Sequence, residues 1–170
     1  MTGNTPNQRP VRSLGLSPAD LAVEFAGAIA IVLAVLPIVE FWAVLPDRIP
    51  IHFGFSGQPD TWGDRVTIWI LPAVAAIIFV VLTAVSRYPH TFNYPVQITE
   101  ENARRQYLLA RSLLVWLKAE VCWLFAFVVR QQILVALGNA QRFSMELLLG
   151  IIVLIFATVG LYLFKAYSAR

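Results

Sequence analysis

Apolar residues fall into four long runs, and polar residues collect between them. The first run is about Leu21 to Val44. Glu24 and Glu40 sit near its ends, and Phe25 to Val39 carries no charge. The second, Val66 to Val85, has no charge, the third lies within Arg111 to Leu137, and the fourth, Met145 to Phe164, carries only Glu146, at its start. A bilayer core of about 30 Å takes about 20 apolar residues as a helix. Each run therefore predicts one crossing, with spans near 21–44, 66–85, 112–132 and 145–164. The expected fold is all-α: a polytopic membrane four-helix bundle with a structured outer loop and a long third helix extending into the cytoplasm. Residues 1–17 are polar and hold Pro6 and Pro10, which predicts a disordered cytoplasmic tail ahead of a single four-span domain at 18–170. The first run is too long for the apolar core of a cleaved leader and should stay as an anchor.

Composition sharpens this picture. Hydrophobic residues make up 58% of the 170 positions and charged residues 14%, against roughly 45–50% and about 25% in soluble domains. So few charges cannot coat a water-soluble fold, and the same numbers exclude disorder of the whole chain. A lone cysteine, Cys122, excludes an internal disulfide framework and a cysteine-based zinc cluster. The net charge of +3 is too small to imply a nucleic-acid partner.

Lys and Arg near the span ends set orientation. Four spans put the tail, the middle loop and the carboxyl terminus on one side, with Arg9, Arg12, Arg87, Arg104, Arg105, Arg111, Lys165 and Arg170; the other side holds Arg48, Arg65 and Arg142. The imbalance predicts a multi-pass protein of the cell membrane with both termini cytoplasmic and loop 45–65 outside. Within the first span, Ala26, Ala30 and Ala34 recur every four residues beside Gly27, a face that lets another helix approach closely. Pro37 should bend that helix, and Pro72 the second.

Loop 45–65 is the least ordinary stretch. Pro46, Pro50 and Pro59 fix φ, while Gly54, Gly57 and Gly63 permit positive φ, which predicts a compact string of turns. His52 with Asp60 or Asp64 has no repeated ligand spacing, so no metal site is expected. No nucleophile accompanies them, so no catalytic residue is assigned. Asp–Arg pairs and capping by aspartate should hold the loop's shape, leaving His52 a structural or pH-sensitive residue.

The order Leu45-Pro46, Ile49-Pro50, His52-Phe53, Gly57 and Pro59-Asp60 resembles the signature of a small bacterial and archaeal membrane domain of unknown function. That domain forms the amino-terminal part of SdpI-type immunity proteins. Ser86 to Asn102 is similar to the stretch that many members carry downstream of this motif, so the resemblance covers roughly residues 30–130. Members usually carry Asn at the position of Gly54 and often Lys at that of Arg65. The resemblance implies immunity to, or sensing of, an extracellular peptide or toxin, through an outer-loop motif of Pro46, Pro50, His52, Gly57, Pro59 and Asp60.

Beyond the proline-rich stretch 86–98, Thr99 is the expected N-cap of a helix from 100 to 137, about 57 Å long at 1.5 Å per residue. Arg104, Arg111 and Lys118 recur every seven residues and share a face. That stripe either meets solvent and headgroups or forms an internal basic strip. With the core beginning near Ser112, Lys118 snorkels inward and Arg130 outward. Glu120 then needs a partner or a proton, and Glu40 is the expected partner of Arg130. Glu40, Lys118, Glu120 and Arg130 are thus the candidate intramembrane polar residues. No nucleotide-binding loop, HExxH or Ser/His/Asp set is present, so no enzyme and no cofactor are expected. The expected partners are the lipid bilayer, a peptide or toxin or a membrane protein, and a second copy of the chain. The alternatives to immunity are a small transporter or channel subunit and an accessory subunit of a membrane complex.

Overall fold

The computed structural model describes Arg9 and residues 14–170. Most of the tail expected at 1–17 lies outside the described residues. Leu14, which does not, packs on a small cluster of Ile98, Ala103 and Tyr107, and its carbonyl accepts a hydrogen bond from Arg111. Helix α1 spans Pro18–Phe41. Ser17 caps it: its hydroxyl accepts the Asp20 N–H at 3.1 Å, the Asp20 carboxylate reaches back to the Ser17 N–H, and Pro18 occupies the first turn, where its missing N–H costs nothing. Two antiparallel strands come next, β1 at Arg48–Phe53 and β2 at Pro59–Asp64. A 3-10 turn at Arg65–Trp69 leads into α2, Ile70–Val85. Helix α3 runs from Ala103 to Ala136 and α4 from Met145 to Ser168.

All four expected spans are present as helices long and apolar enough to cross a membrane, and the chain is a multi-pass membrane protein on that count. The contacts define an up-down-up-down bundle. Asp20 meets Ser112, Glu24 meets Lys118, and Ile38 packs with Val129 and Ile133, so α1 and α3 run parallel. Thr83 lies beside Glu24 and Ala75 beside Ala30, which sets α2 antiparallel to both. Thr158 meets Glu120 and the Ala166 carbonyl meets Gln106, which does the same for α4. His52 and His90 therefore sit at opposite ends of the bundle.

Helix α3 is the spine, packed against each of the other three helices. Its 34 residues make it about 51 Å long. It begins three residues later than expected, because Thr99 and Asn102 exchange side-chain bonds to each other's N–H groups at 2.9 and 3.2 Å and hold 99–102 as a turn. It stops at Gly138, whose φ of +73° terminates the helix in the left-handed conformation glycine tolerates best.

The small-residue face of α1 is real but rotated by one residue from the alanine repeat. Gly27, Ala30 and Ala34 are buried, and Ala26 is only partly so. A Cβ on Gly27 would stand 3.2 Å from the Ala119 Cα and 3.1 Å from the Phe79 ring, so α1 meets both other helices here with no spare room. Helix α4 is different. None of its apolar window is buried, and its outer face is left for lipid or a second protein.

Candidate functional site: the hairpin cap and a buried polar seam

The expected string of turns in loop 45–65 is instead a β-hairpin. Its two prolines sit where a strand tolerates them: Pro59 opens β2, and Pro50 lies beside a register irregularity between positions 50 and 52. The turn closes through Gly54 N–H to the Gln58 carbonyl at 2.9 Å and Gly57 N–H to the Gly54 carbonyl at 2.8 Å. Gly57 has φ +79°.

The hairpin is fastened down on the bundle. Leu45, Ile49 and Ile68 join Ile38, Val129 and Ile133 in one buried cluster. The Gln132 side-chain amide donates to the Pro50 carbonyl at 3.2 Å. The Phe143 N–H donates to the Gly57 carbonyl at 2.8 Å, and the Phe143 ring lies 4.8 Å from that of Phe53 and 5.4 Å from that of Phe127. The expected Asp–Arg and capping interactions are present too. Asp64 caps the 3-10 turn through the Val66 N–H, Arg65 lies 3.6 Å from Asp47, and the Arg65 guanidinium sits 5.0 Å over the Trp42 ring.

The far face of the hairpin is open. Phe55, at the tip, is fully exposed, and Ile51 and Trp62 are nearly half so. Beside them His52 Nδ1 and Asp60 Oδ1 lie 2.6 Å apart. Spacing placed these two residues in one loop; only the strand register, which sets 52 opposite 61, brings the side chains together. The His52 hydrogen bond holds the Asp60 carboxyl below its ordinary value of 3.8. A depressed carboxylate stabilises the fold above its unfolded value, and that stabilisation is lost as pH falls through the lower folded value. The hairpin is therefore expected to keep the contact at pH below the ordinary carboxylate range and to release it only in stronger acid. The His52 ring signals in a magnetic-resonance titration report this step, and Asp60→Asn should abolish it. A His52 signal indifferent to that substitution would contradict the contact. Of the other motif positions, Pro46 precedes β1 and takes no part in the pairing of the strands.

Of the candidate intramembrane residues, two are brought into the bundle and two are not. Glu40 and Arg130 are both exposed and form no ion pair with each other among the described residues, so the pairing expected from their similar depth does not form. Lys118 does not snorkel. It is fully buried, with Nζ 2.5 Å from Glu24 Oε1, 2.6 Å from Thr83 Oγ1 and 4.5 Å from the centre of the Phe79 ring. The basic stripe thus changes character along one helix face: Arg104 is exposed, Arg111 is half-buried on the Leu14 carbonyl, and Lys118 lies inside where α1 and α2 cover it. Glu120 takes a hydrogen bond from the Thr158 hydroxyl at 2.6 Å through Oε1. Its Oε2 is buried without a partner. Glu24, Thr83, Asp20 and Ser112 complete this seam, and sequence reasoning assigned none of the four to it. Glu24 carried the one available signal, an acid near the end of an apolar run. Among the described residues no cluster of His, Cys, Asp or Glu forms a metal site.

The comparisons with known proteins centre on the hairpin. Residues 28–76 match the model of a family described as a domain of unknown function, DUF1648. The match runs from mid-α1 through both strands into α2, a narrower region than the resemblance over roughly 30–130 implied. An uncharacterized protein of Archaeoglobus fulgidus is 38% identical over 84 residues, covering 41% of this chain and 45% of that protein. The chain thus spans less than half the length of this relative. No solved structure matches.

Proposed function

We propose that this chain is a non-enzymatic sensor or immunity protein of the prokaryotic cell membrane, with both termini cytoplasmic and the hairpin facing outward, where it recognises an extracellular peptide or toxin. The observation that carries this reading is the hairpin's two-sided design. One side is fastened to α3 by Gln132 and a shared apolar cluster and to the α3–α4 connection by Phe143, and the other offers Phe55, Ile51 and Trp62 beside the His52–Asp60 pair. Exposed aromatic groups on a rigid support lose little entropy on binding, which suits them to anchor a partner. Ligand contact at the hairpin would bear directly on α3, which reaches the opposite end of the bundle. The resemblance to the amino-terminal domain of SdpI-type immunity proteins supports the same role. A transporter built on Glu40, Glu120 and Arg130 has less support, since Glu40 and Arg130 are exposed and form no ion pair with each other among the described residues.

The test is protection of a susceptible bacterium expressing the full chain and challenged with membrane-active peptide toxins. Phe55→Ala and His52→Ala should each abolish protection while the purified protein stays folded. Protection retained by both variants would overturn the role of the hairpin, and flux of a small solute in proteoliposomes that is lost with Glu120→Gln would favour the transporter.

A further inference from the structure

A second site lies inside the bundle, away from the hairpin. A cavity of about 250 Å³ opens between α1, α3 and α4, with Val23 and Ala26 on one wall, Leu154 on another, and Trp116, Glu120 and Trp123 along α3. The last three are spaced four and three residues apart, so they share one helix face and the two indoles bracket the carboxylate. Both indoles keep more than 40% of their surface free. Glu120 itself is 7% exposed. The Thr158 hydroxyl satisfies its Oε1, and its Oε2 is buried with no hydrogen-bond partner. Among the described residues no basic side chain answers it. Lys118, two residues away, points off another face of α3 and is committed to Glu24. Lys165 lines an adjoining cavity of about 370 Å³ that shares Trp116 and Leu154, but it forms no ion pair with Glu120 among the described residues.

A carboxylate oxygen buried in an apolar chamber is satisfied by a proton or by a hydrogen-bond donor, and a charged N–H is the strongest such donor. Two indoles line the cavity beside Glu120, and an indole ring favours a cation over a neutral donor. The rest of the wall is hydrocarbon and asks for an alkyl chain, and the adjoining cavity gives that chain somewhere to run. We infer that this chamber binds a lipophilic primary or secondary amine in its protonated form, the ammonium donating to Glu120 Oε2 between Trp116 and Trp123 and the alkyl tail lying along Leu154 toward the second cavity. The site does not depend on the role of the hairpin.

Dodecylamine and the isosteric neutral dodecanol serve as probes, titrated into the full chain in zwitterionic lipid nanodiscs and followed by tryptophan emission. The wild type should bind the amine saturably and at least roughly tenfold more tightly than the alcohol, the ratio that one charge-assisted hydrogen bond supplies. Glu120→Gln keeps the side chain's shape and an acceptor for Thr158, and should erase that preference. Should this variant not fold, Trp123→Leu carries the test, because it leaves the carboxylate in place and should weaken amine binding severalfold while sparing dodecanol. Equal affinity for amine and alcohol, or an amine affinity that Glu120→Gln leaves within twofold, would overturn the assignment.

Discussion

Replacing Lys118 by methionine is expected to cost about 3–5 kcal/mol of stability, the usual loss when one partner of a buried ion pair is removed. The ammonium is the pair's fully buried half, and the Glu24 side chain is 21% exposed. Nζ contacts Glu24 Oε1 at 2.5 Å and Thr83 Oγ1 at 2.6 Å, while the Thr83 hydroxyl is itself a donor to the Phe79 carbonyl at 2.7 Å. Methionine fills nearly the same volume and removes only the charge and its hydrogen bonds. What remains is a carboxylate without its cation, with Oε2 already lacking a partner. The double variant Glu24→Gln/Lys118→Met should recover most of the loss, because no unpaired charge is left in the bundle. Chemical unfolding of the three variants in detergent micelles measures both effects. A single variant within about 1 kcal/mol of wild type would mean that the pair is not desolvated as its burial implies. A double variant no better than the single would mean that the loss does not come from the Glu24 charge left without its cation.

The same residues show what could be read from the chain and what could not. The four crossings were legible because membrane burial is a matter of composition over about 20 residues, and no distant contact changes it. The end of α3 was legible because a glycine after a long unbroken run has a local cost and a local use. Lys118 was legible as a charge in a span, but its fate was not. Its partner lies 94 positions away on α1, and depth estimated along α3 alone says nothing of which neighbour covers each turn. Glu24 was legible as an acid near the end of the first run, and only the packing of α1 on α3 turns it toward Lys118.

The hairpin was hidden by different physics. Prolines and glycines there read as turns, and the alternation of a half-buried strand is broken at Pro50, buried next to buried Ile49. The strands form because their second face is supplied by Val129, Ile133 and Phe143, residues that local sequence cannot bring near. The motif order itself was readable, and the domain match at 28–76 falls on it. The pairing of His52 with Asp60 was not, because a register shift of one residue would have turned one of the two side chains to the opposite face.

Gly57→Ala should be the most damaging conservative change in that hairpin. Two costs add. A left-handed φ of +79° costs an L-residue about 1–2 kcal/mol. A Cβ at this position would also lie 2.3 Å from the Phe143 carbonyl oxygen, and that atom is backbone, unable to swing aside. Relief requires the turn to lift off residues 142–144, and then the bond from the Phe143 N–H to the Gly57 carbonyl is lost, worth a further ~0.5–1.5 kcal/mol. The expected loss is about 1.5–3.5 kcal/mol, with faster hydrogen exchange at the Phe143 amide. Gly138→Ala is the internal control. Its φ of +73° carries the same backbone cost, but a Cβ there meets nothing within 4 Å, so it should lose only the first part and leave Phe143 protected. If both substitutions cost the same and the Phe143 amide stays slow in each, the hairpin is not clamped to the α3–α4 connection. A load on the hairpin would then reach α3 only through Gln132 and the shared apolar cluster, and the sensing role would lose part of its mechanical basis.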